Sequence, residues 1–386
     1  MNKERVVEIL STLVAFDTTS RNSNLKLIGW VEDYLDGLGI SSERVYDPTG
    51  QKASLWASIG PVDVPGFILS GHTDVVPVDG QSWSSDPFRL RQDGGRLYGR
   101  GACDMKGFLA VCLAGAEDLR DTPLREPIHL AFSYDEEVGC VGGRRLAEHL
   151  SRAPVRQQAC FVGEPTSMGV VIGHKSKRSV RIIVRGKTGH SALAPRSVNA
   201  VEYGARLVSE ISRIAERLAG DGPHDSLYDV PHSTAHVGML HGGTALNIVP
   251  DRAEILFEFR TMGGTDPDIL VAEVVRHARD ILEPRMKAVD PNAGFDFDVF
   301  AGFPGLDTPP DAEVVTIAKV LAGQNGHAKV AFGTEGGLFH EIAGIPTVIV
   351  GPGSIEQAHT ADEWIELDQL EKCAAFVDGL IERCRA

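Results

Sequence analysis

Phe67-Ile68-Leu69-Ser70-Gly71-His72-Thr73-Asp74 is the segment from which the architecture of this chain can first be inferred. Its apolar half has the length of a short buried strand, and that strand passes directly into a histidine and an aspartate. Polar side chains at the carboxyl end of a buried strand are typical of the sites found in open α/β sheets. The segment therefore predicts a sheet and a site at its edge.

The same arrangement recurs along the chain. Three more predicted strands end at a candidate ligand: Ile128–Ser133 before Glu136 and Glu137, Ala159–Val162 before Glu164, and Thr347–Val350 before His359. Helical periodicity covers residues 3–15, 25–38, 106–119 and about 142–150. Strands that alternate with helices predict an α/β protein with a mixed, mostly parallel sheet.

The pattern changes between residues 177 and 301. Strands are predicted at 180–185, 235–239, 254–259 and about 295–300, with helices at 198–218 and 267–282. This β-α-β-β-α-β order is that of the ferredoxin-like split unit. We therefore expect a ferredoxin-like α+β domain at 177–301, inserted into a first domain made of residues 1–176 and 302–386.

Composition restricts the class of function. A net charge of -15 over 386 residues argues against a nucleic-acid partner, which would require clustered Lys and Arg. The chain has no run of roughly 18 apolar residues and no signal-peptide profile at Met1–Arg5, so neither a membrane span nor export is expected. Six cysteines without a CxxC pair favour reduced thiols, and hence the cytoplasm.

The candidate ligands have the chemistry of a two-metal site. Asp104 is a further candidate ligand beside the strand-end residues. A group of carboxylates this large can converge in a partly dry pocket only if cations neutralise it. One carboxylate can give an oxygen to each of two cations, and Asp104 is the natural bridge. Imidazoles with carboxylates suit two zinc ions, with cobalt or manganese as alternatives because ligand type discriminates poorly.

Glu136 and Glu137 divide two roles, since only one of two adjacent side chains can readily face the same metal. The other is expected to act as a general base. Asp74, two residues after His72, is placed to hold the second ring nitrogen of that histidine. Either motif alone is more often a capped turn or a solvated surface pair, and it is their joint occurrence after successive strands that favours a site. Cys103 and Cys140 are interpreted as buried small residues rather than ligands.

These residues resemble the metallopeptidase M20 family of zinc-dependent hydrolases over nearly the whole chain. The matching motifs are Ser70-Gly71-His72-Thr73-Asp74-Val75-Val76-Pro77, Gly99-Arg100-Gly101-Ala102-Cys103-Asp104-Met105-Lys106-Gly107, Asp135-Glu136-Glu137-Val138-Gly139 and Gly163-Glu164-Pro165-Thr166. The resemblance implies that His72 and Glu164 hold one zinc, that Glu137 and His359 hold the other, and that Asp104 bridges. It also implies Glu136 as general base, Asp74 as the residue that orients His72, and a cis peptide after Asp104.

The inserted region resembles the lid and dimerisation domain of the family, which implies a homodimer. His190, in Gly189-His190-Ser191, is expected to reach the reacting carbonyl, either in its own subunit or in the partner's. Asn247 and Arg260 are expected to contact substrate. Alternatives are that His190 only caps a turn and that Arg260 pairs with Glu258 or Asp251.

The acetylornithine deacetylase branch is the best match within the family. It is carried by Gly163–Met168, Gly173-His174-Lys175, Phe332–Phe339 and Gly351–His359. Gly336 and Gly337 are expected either to offer N–H groups to a substrate α-carboxylate or only to turn the chain. The expected reaction is removal of the acetyl group from N2-acetyl-L-ornithine, in arginine biosynthesis. Alternatives are another N-acyl-amino-acid hydrolase, such as a succinyl-diaminopimelate desuccinylase or aminoacylase, a carboxypeptidase, and a non-catalytic binding or scaffold homologue.

Overall fold

The computed structural model of the chain describes residues 1–120 and 122–386. The strands are β1 (Ser42–Tyr46), β2 (Ala53–Ile59), β3 (Phe67–His72), β4 (Arg91–Asp93), β5 (Arg96–Tyr98), β6 (Ile128–Ser133), β7 (Ala159–Val162), β8 (Val171–His174), β9 (Ser176–Arg185), β10 (Gly189–His190), β11 (Thr234–Gly242), β12 (Ile248–Val249), β13 (Arg252–Thr261), β14 (Gly294–Phe303), β15 (Leu306–Asp307), β16 (Ala328–Val330), β17 (Thr347–Ile349) and β18 (Trp364–Glu366). The helices are α1 (Lys3–Val14), α2 (Leu25–Gly37), α3 (Lys106–Leu119), α4 (Val141–Leu150), α5 (Ala200–Gly220), α6 (Pro267–His277), α7 (Glu283–Lys287), α8 (Glu313–Ala322), α9 (Gly336–Glu341) and α10 (Leu367–Cys384).

The chain divides into two compact units. The first unit comprises Met1–Gly173, Leu306–Lys329 and Thr334–Ala386, and the second comprises His174–Gly305 and Val330–Gly333. Each unit has a hydrophobic core of its own. The domain boundaries that the sequence suggests, at 176/177 and 301/302, stay a prediction.

The first unit is built on one large sheet with the strand order β1-β2-β6-β3-β7-β17-β8-β15, in which β16 also pairs with β8. Its centre, β6-β3-β7-β17, is parallel. The strands β1 and β2 on one side and β8 on the other run antiparallel to their neighbours. The expected mixed, mostly parallel sheet is confirmed, and the carboxyl ends of its central strands share one edge.

Helix α3 shows how the sequence determines the packing of the first unit. It is apolar nearly all round and is buried along most of its length, as a helix enclosed by protein should be. Lys106 at its start is also buried, and its ammonium donates to the carbonyl of Phe16 at 2.8 Å. Burial lowers the pKa of Lys106 to about 7, because desolvation penalises a charged amine.

The second unit has the expected ferredoxin-like order. Its four long strands form an antiparallel sheet in the order β11-β13-β9-β14. Buried and more exposed residues alternate along β13, as they do in a sheet that buries one face. Helix α5 begins after Asn199, whose side chain accepts from the N–H groups of Val201 and Glu202.

The helix predicted at 267–282 is different in the structure. The regular helix α6 ends at His277, a π-helical turn covers Ala278–Leu282, and α7 follows. Pro284 explains the change, because it has no N–H and its ring clashes with the carbonyl four residues earlier in a regular helix. None of the described helices combines the length and the apolarity needed to cross a membrane.

Candidate metal centre

The strand-end residues of the first unit converge at one edge of the sheet. His72 is the last residue of β3, while Glu136 and Glu137 follow β6 and Glu164 follows β7. His359 comes after β17, the fourth strand of the parallel centre. Asp104 lies just before α3, and its peptide bond to Met105 is cis, as the resemblance implies.

Asp104 lies between the two imidazoles. Its Oδ1 is 3.0 Å from Nε2 of His72, and its Oδ2 is 3.3 Å from Nε2 of His359. The same nitrogen of His359 is 3.1 Å from Oε1 of Glu137. Each oxygen of one carboxylate therefore faces a different imidazole, which is the arrangement that a bridging ligand requires.

Two groups of side chains have the geometry of a metal site, and among the described residues both fall in the first unit. The ligand atoms of His72, Asp104 and Glu137 lie within 4.8 Å of one another, as do those of His72, Glu136 and Glu164. Oε1 of Glu164 is buried and accepts no hydrogen bond from any described residue. An unpaired carboxylate oxygen at this depth is costly, so these residues fit a divalent cation.

The glutamates of the cluster resist ionisation. Burial raises the pKa of Glu136 to about 8, and the negative charges of Glu137 and Asp74 add to the effect. Burial raises the pKa of Glu164 well above its usual value, and the charge of Asp104 reinforces this. The pKa of Glu137 is raised for the same two reasons. Such shifts occur where carboxylates are crowded without enough positive charge.

The two histidines show the complementary effect. Burial alone would lower the pKa of His72, but hydrogen bonds to Asp104 and Asp74 outweigh it and raise the pKa. Hydrogen bonds to Asp104 and Glu137 raise the pKa of His359 to about 10. The pKa of Asp104 is lowered, because the two imidazoles outweigh its burial. The cluster thus attracts positive charge, here protons and, in a metal site, cations.

Asp74 contacts His72 through its backbone carbonyl and the glutamate pair through its carboxylate. Nδ1 of His72 is 2.9 Å from the backbone carbonyl of Asp74 and 3.6 Å from its carboxylate. The carboxylate accepts instead from the N–H groups of Glu136 at 3.0 Å and Glu137 at 3.3 Å, and from the hydroxyl of Ser20 at 2.7 Å. One residue therefore touches His72 and also fixes the turn that carries the glutamate pair.

Sequence reasoning missed two polar residues near the centre, the buried Glu335 and the half-buried Lys52. Glu335 accepts from Ser70 and Ser133, each at 2.6 Å, and so ties together the ends of β3 and β6. Lys52 pairs with Asp135, the left-handed residue before Glu136. The motif Phe332–Phe339 contains Glu335, so a signal existed for that residue. Lys52 carries no motif that would have revealed it.

Cys103 and Cys140, the two cysteines near the centre, are buried and free. The thiol of Cys140 donates to Oε1 of Glu136 at 3.2 Å. Burial raises the pKa of Cys140 and of Cys103 above the ordinary thiol value. A thiol of raised pKa is a poor metal ligand, which agrees with the interpretation of both residues as small buried side chains.

The residues predicted to contact substrate are not members of the metal centre. His190, Asn247 and Arg260 belong to the second unit, where Nδ1 of His190 accepts from the N–H of Ala192 and Nε of Arg260 donates to Glu258 at 3.0 Å. The turn-capping and ion-pairing alternatives are therefore both present. Gly336 and Gly337 are buried at the start of α9, and the N–H of Gly336 donates to Thr334 at 3.0 Å. Contact of these residues with substrate stays a prediction.

Comparison with known proteins identifies the family of the chain. Residues 68–383 match Peptidase family M20/M25/M40. The chain is 33% identical over 367 residues to an acetylornithine deacetylase from Shigella sonnei (strain Ss046), an alignment that covers 93% of this chain and 92% of the relative.

Solved structures share the fold. The aminopeptidase PepT from Bacillus cereus ATCC 10987 is similar with a TM-score of 0.77 and 24% identity, covering 100% of this chain and 99% of that one. A second is the YXEP protein of Bacillus subtilis, described as a dinuclear metal binding peptidase from the M20 family, with a TM-score of 0.66, 17% identity and coverage of 99% and 98%. The chain therefore belongs to Peptidase family M20/M25/M40 and is a metal-dependent amidohydrolase of that family.

Proposed function

We propose that this hydrolase removes the acetyl group from N2-acetyl-L-ornithine and releases acetate and ornithine, a step of arginine biosynthesis. The observation that carries amide hydrolysis is the pair of imidazoles facing opposite oxygens of Asp104. The choice of substrate is supported by the acetylornithine deacetylase that is 33% identical over most of both chains. The motifs of that branch, Gly163–Met168 and Phe332–Phe339, support the same choice.

Two zinc ions are the cofactors of the proposal, with cobalt or manganese as substitutes. His72 and Glu164 would hold one ion, Glu137 and His359 the other, and Asp104 both. Imidazole and carboxylate are ligands that zinc accepts readily. When bound, such a pair of cations polarises an acyl carbonyl and makes a water molecule more acidic.

Glu136 is the general base in this proposal. Burial and the neighbouring acids raise its pKa to about 8, and cations nearby would lower that pKa toward the range of a working base. Glu136 takes a proton from water as the water oxygen attacks the acyl carbon. It then gives the proton to the amine nitrogen as the C–N bond breaks. Asp74 keeps Glu136 in place through the hydrogen bond to its N–H.

His190 is proposed to stabilise the oxyanion of the tetrahedral intermediate. Its Nδ1 accepts from the N–H of Ala192 at 3.1 Å, so a neutral ring carries its proton on Nε2 and can donate from there. Arg260 is proposed to bind the substrate carboxylate and Asn247 to donate a further hydrogen bond. Gly336 and Gly337 complete the proposed substrate contacts.

The proposal extends to assembly and compartment. A homodimer through the second unit follows from the resemblance to a dimerisation domain, and His190 would act either in its own subunit or in the partner's. The cytoplasm is the proposed compartment. All six cysteines are free and buried, which suits a reducing environment.

A substrate panel tests the proposal. Purified protein loaded with Zn²⁺ or Co²⁺ would be assayed with N2-acetyl-L-ornithine, N-succinyl-diaminopimelate, N-acetyl-leucine and a dipeptide. We expect the highest kcat/KM on N2-acetyl-L-ornithine, by at least about tenfold, because a pocket built for one polar group discriminates strongly against substrates that lack it. Equal or faster turnover of another member of the panel would assign the protein to a different substrate.

A further inference from the structure

We propose that Gln81, Arg100 and Glu363 form a positioning network that fixes His359 relative to Asp104 and thereby sets the affinity of the metal centre. The inference rests on the proposed ligand roles of those two residues. None of the three network residues is a candidate ligand itself. All five residues lie in the first unit.

Glu363 is the base of the network. Its side chain is buried, and each of its oxygens accepts two hydrogen bonds. Oε1 accepts from the N–H groups of Cys103 at 2.9 Å and Asp104 at 3.0 Å, and Oε2 accepts from the N–H of Gly101 at 3.0 Å and from Arg100 at 2.7 Å. The loop that presents the bridging aspartate is therefore folded around this one carboxylate.

Arg100 and Gln81 extend the network to the other ligand. Arg100 is fully buried. Its Nη1 donates to Glu363, and its Nη2 donates to Oε1 of Gln81 at 2.5 Å. The indole N–H of Trp83 donates to the same oxygen at 3.1 Å. The amide nitrogen of Gln81 then donates to the backbone carbonyl of His359 at 2.8 Å. A continuous chain of hydrogen bonds thus joins the backbone of His359 to the backbone of Asp104.

His359 needs such support more than the other ligands do. Its side chain is 49% exposed, whereas that of His72 is 1% exposed. Its backbone is left-handed, with φ at 60°, a conformation that is unfavourable for a residue with a side chain. Packing alone therefore holds His359 weakly, and the hydrogen bond from Gln81 supplies a specific restraint. Polar groups that orient metal ligands typically change metal affinity by about 10–100-fold when they are removed.

The experiment compares two network variants with a matched control. Gln81→Met keeps the length of a half-buried side chain and removes its three hydrogen bonds. Glu363→Gln replaces one accepting oxygen with a donating NH₂ group, which would face N–H donors. The control is Glu283→Gln in the second unit, where a buried carboxylate accepts from the N–H of Phe295 at 3.1 Å and pairs with Arg279 and Lys287.

Two readouts separate positioning from general stability. Chelator competition on the metal-free protein measures the affinity for Zn²⁺, and the absorption spectrum of the Co²⁺ form reports the ligand geometry. We expect Gln81→Met to lower the affinity for one of the two ions by about tenfold and to change the Co²⁺ spectrum. Excess Zn²⁺ should restore kcat in this variant. Glu363→Gln should lower the affinity for that ion at least as much. Glu283→Gln should keep the Zn²⁺ affinity within twofold of the parent and leave the Co²⁺ spectrum unchanged.

The outcomes separate this inference from the proposed function. Parental Zn²⁺ affinity and an unchanged spectrum in Gln81→Met would overturn the inference, and that variant decides the question if Glu363→Gln does not fold. No substrate enters the measurement. A parent that binds two ions but leaves N2-acetyl-L-ornithine intact would therefore refute only the substrate assignment.

Discussion

Buried carboxylates occur in both units, and those of Glu210 and Glu283 in the second unit have cationic partners close by. Glu210 accepts from Arg213 at 2.9 Å, and Glu283 pairs with Arg279 and Lys287. The hydrogen bond from Arg213 lowers the pKa of Glu210. Burial opposes the same change at Glu283, but its hydrogen bonds outweigh burial and lower its pKa. These acids are neutralised by the chain itself.

The acids at the sheet edge of the first unit are not. The pKa of Glu136, Glu137 and Glu164 is raised, and two imidazoles serve the whole cluster. The crowded acids at the sheet edge are therefore left short of positive charge by the chain, and a cation bound from solution would supply it.

Replacement of Glu136 should separate chemistry from metal binding. We expect Glu136→Gln to lower kcat by about 10²–10⁴-fold, the usual contribution of a general base, while two ions remain bound. Steady-state kinetics and metal analysis of the same preparation measure both quantities. Glu283→Gln, a buried acid already neutralised by Arg279 and Lys287, should keep its kcat. Parental turnover in Glu136→Gln would remove Glu136 from the mechanism.

Removal of metal should destabilise the first unit. At a free Zn²⁺ concentration of 100 times the dissociation constant, each bound ion should add about 2.7 kcal/mol to the free energy of unfolding. Urea unfolding with Zn²⁺ and with chelator gives the difference. Asp104→Asn should lose most of this increment, because a neutral amide cannot serve as a charged bridge. An increment of parental size in Asp104→Asn would contradict the bridging role.

The paired acid of the second unit should behave in the opposite way. Glu283→Gln should lower the free energy of unfolding by about 1–3 kcal/mol, because Arg279, Lys287 and the N–H of Phe295 lose their charged acceptor. Its response to Zn²⁺ should equal that of the parent. If Glu283→Gln lost the stabilisation by Zn²⁺, metal binding in the first unit would depend on the paired acid of the second unit, which would contradict the contrast.

The smallest effect should be a pH dependence of the metal-free protein. Between the usual glutamate pKa of 4.5 and about 8, the folded chain binds more protons than the unfolded chain, because burial raises the pKa of Glu136. Stability therefore falls as pH rises through this window. The raised pKa of His72 and His359 acts in the same direction, since protonated imidazoles stabilise the fold at low pH.

A difference of half a bound proton corresponds to about 0.7 kcal/mol per pH unit. Urea unfolding in chelator at pH 5, 6, 7 and 8 measures the slope, and Glu136→Gln should flatten it. Stability that increases with pH in the metal-free parent would mean that the cluster does not hold protons as the structure implies.

Much of the fold could be predicted from the sequence because the central strands are uninterrupted apolar runs. Ile128–Ser133 and Ala159–Val162 are strands with the predicted bounds, and the ferredoxin-like order of the second unit is also present. The antiparallel strands β1 and β2 were not predicted. Strand β1 is only partly buried, so it lacks the apolar run that marks the central strands.

The ligand set could be proposed in advance because each of its strand-end members follows a recognisable strand. The residues that hold those ligands could not. Arg100 and Glu363 are separated by 263 positions, and no periodicity connects them. Nor could the sequence show that the backbone carbonyl of Asp74, rather than its carboxylate, lies nearer to the ring of His72. The contact of Arg100 with Glu363 joins distant segments, and the position of the Asp74 carboxylate depends on the distant groups that donate to it, the N–H groups of Glu136 and Glu137 and the hydroxyl of Ser20.

Every role proposed for the metal centre depends on Asp104 lying between two metal ions. Diffraction data collected at the zinc absorption edge, from crystals of the protein grown with Zn²⁺, test it most directly. We predict two anomalous peaks, each beside one oxygen of the Asp104 carboxylate, one next to His72 and the other next to His359. The absence of peaks, or a single peak away from Asp104, would contradict the claim.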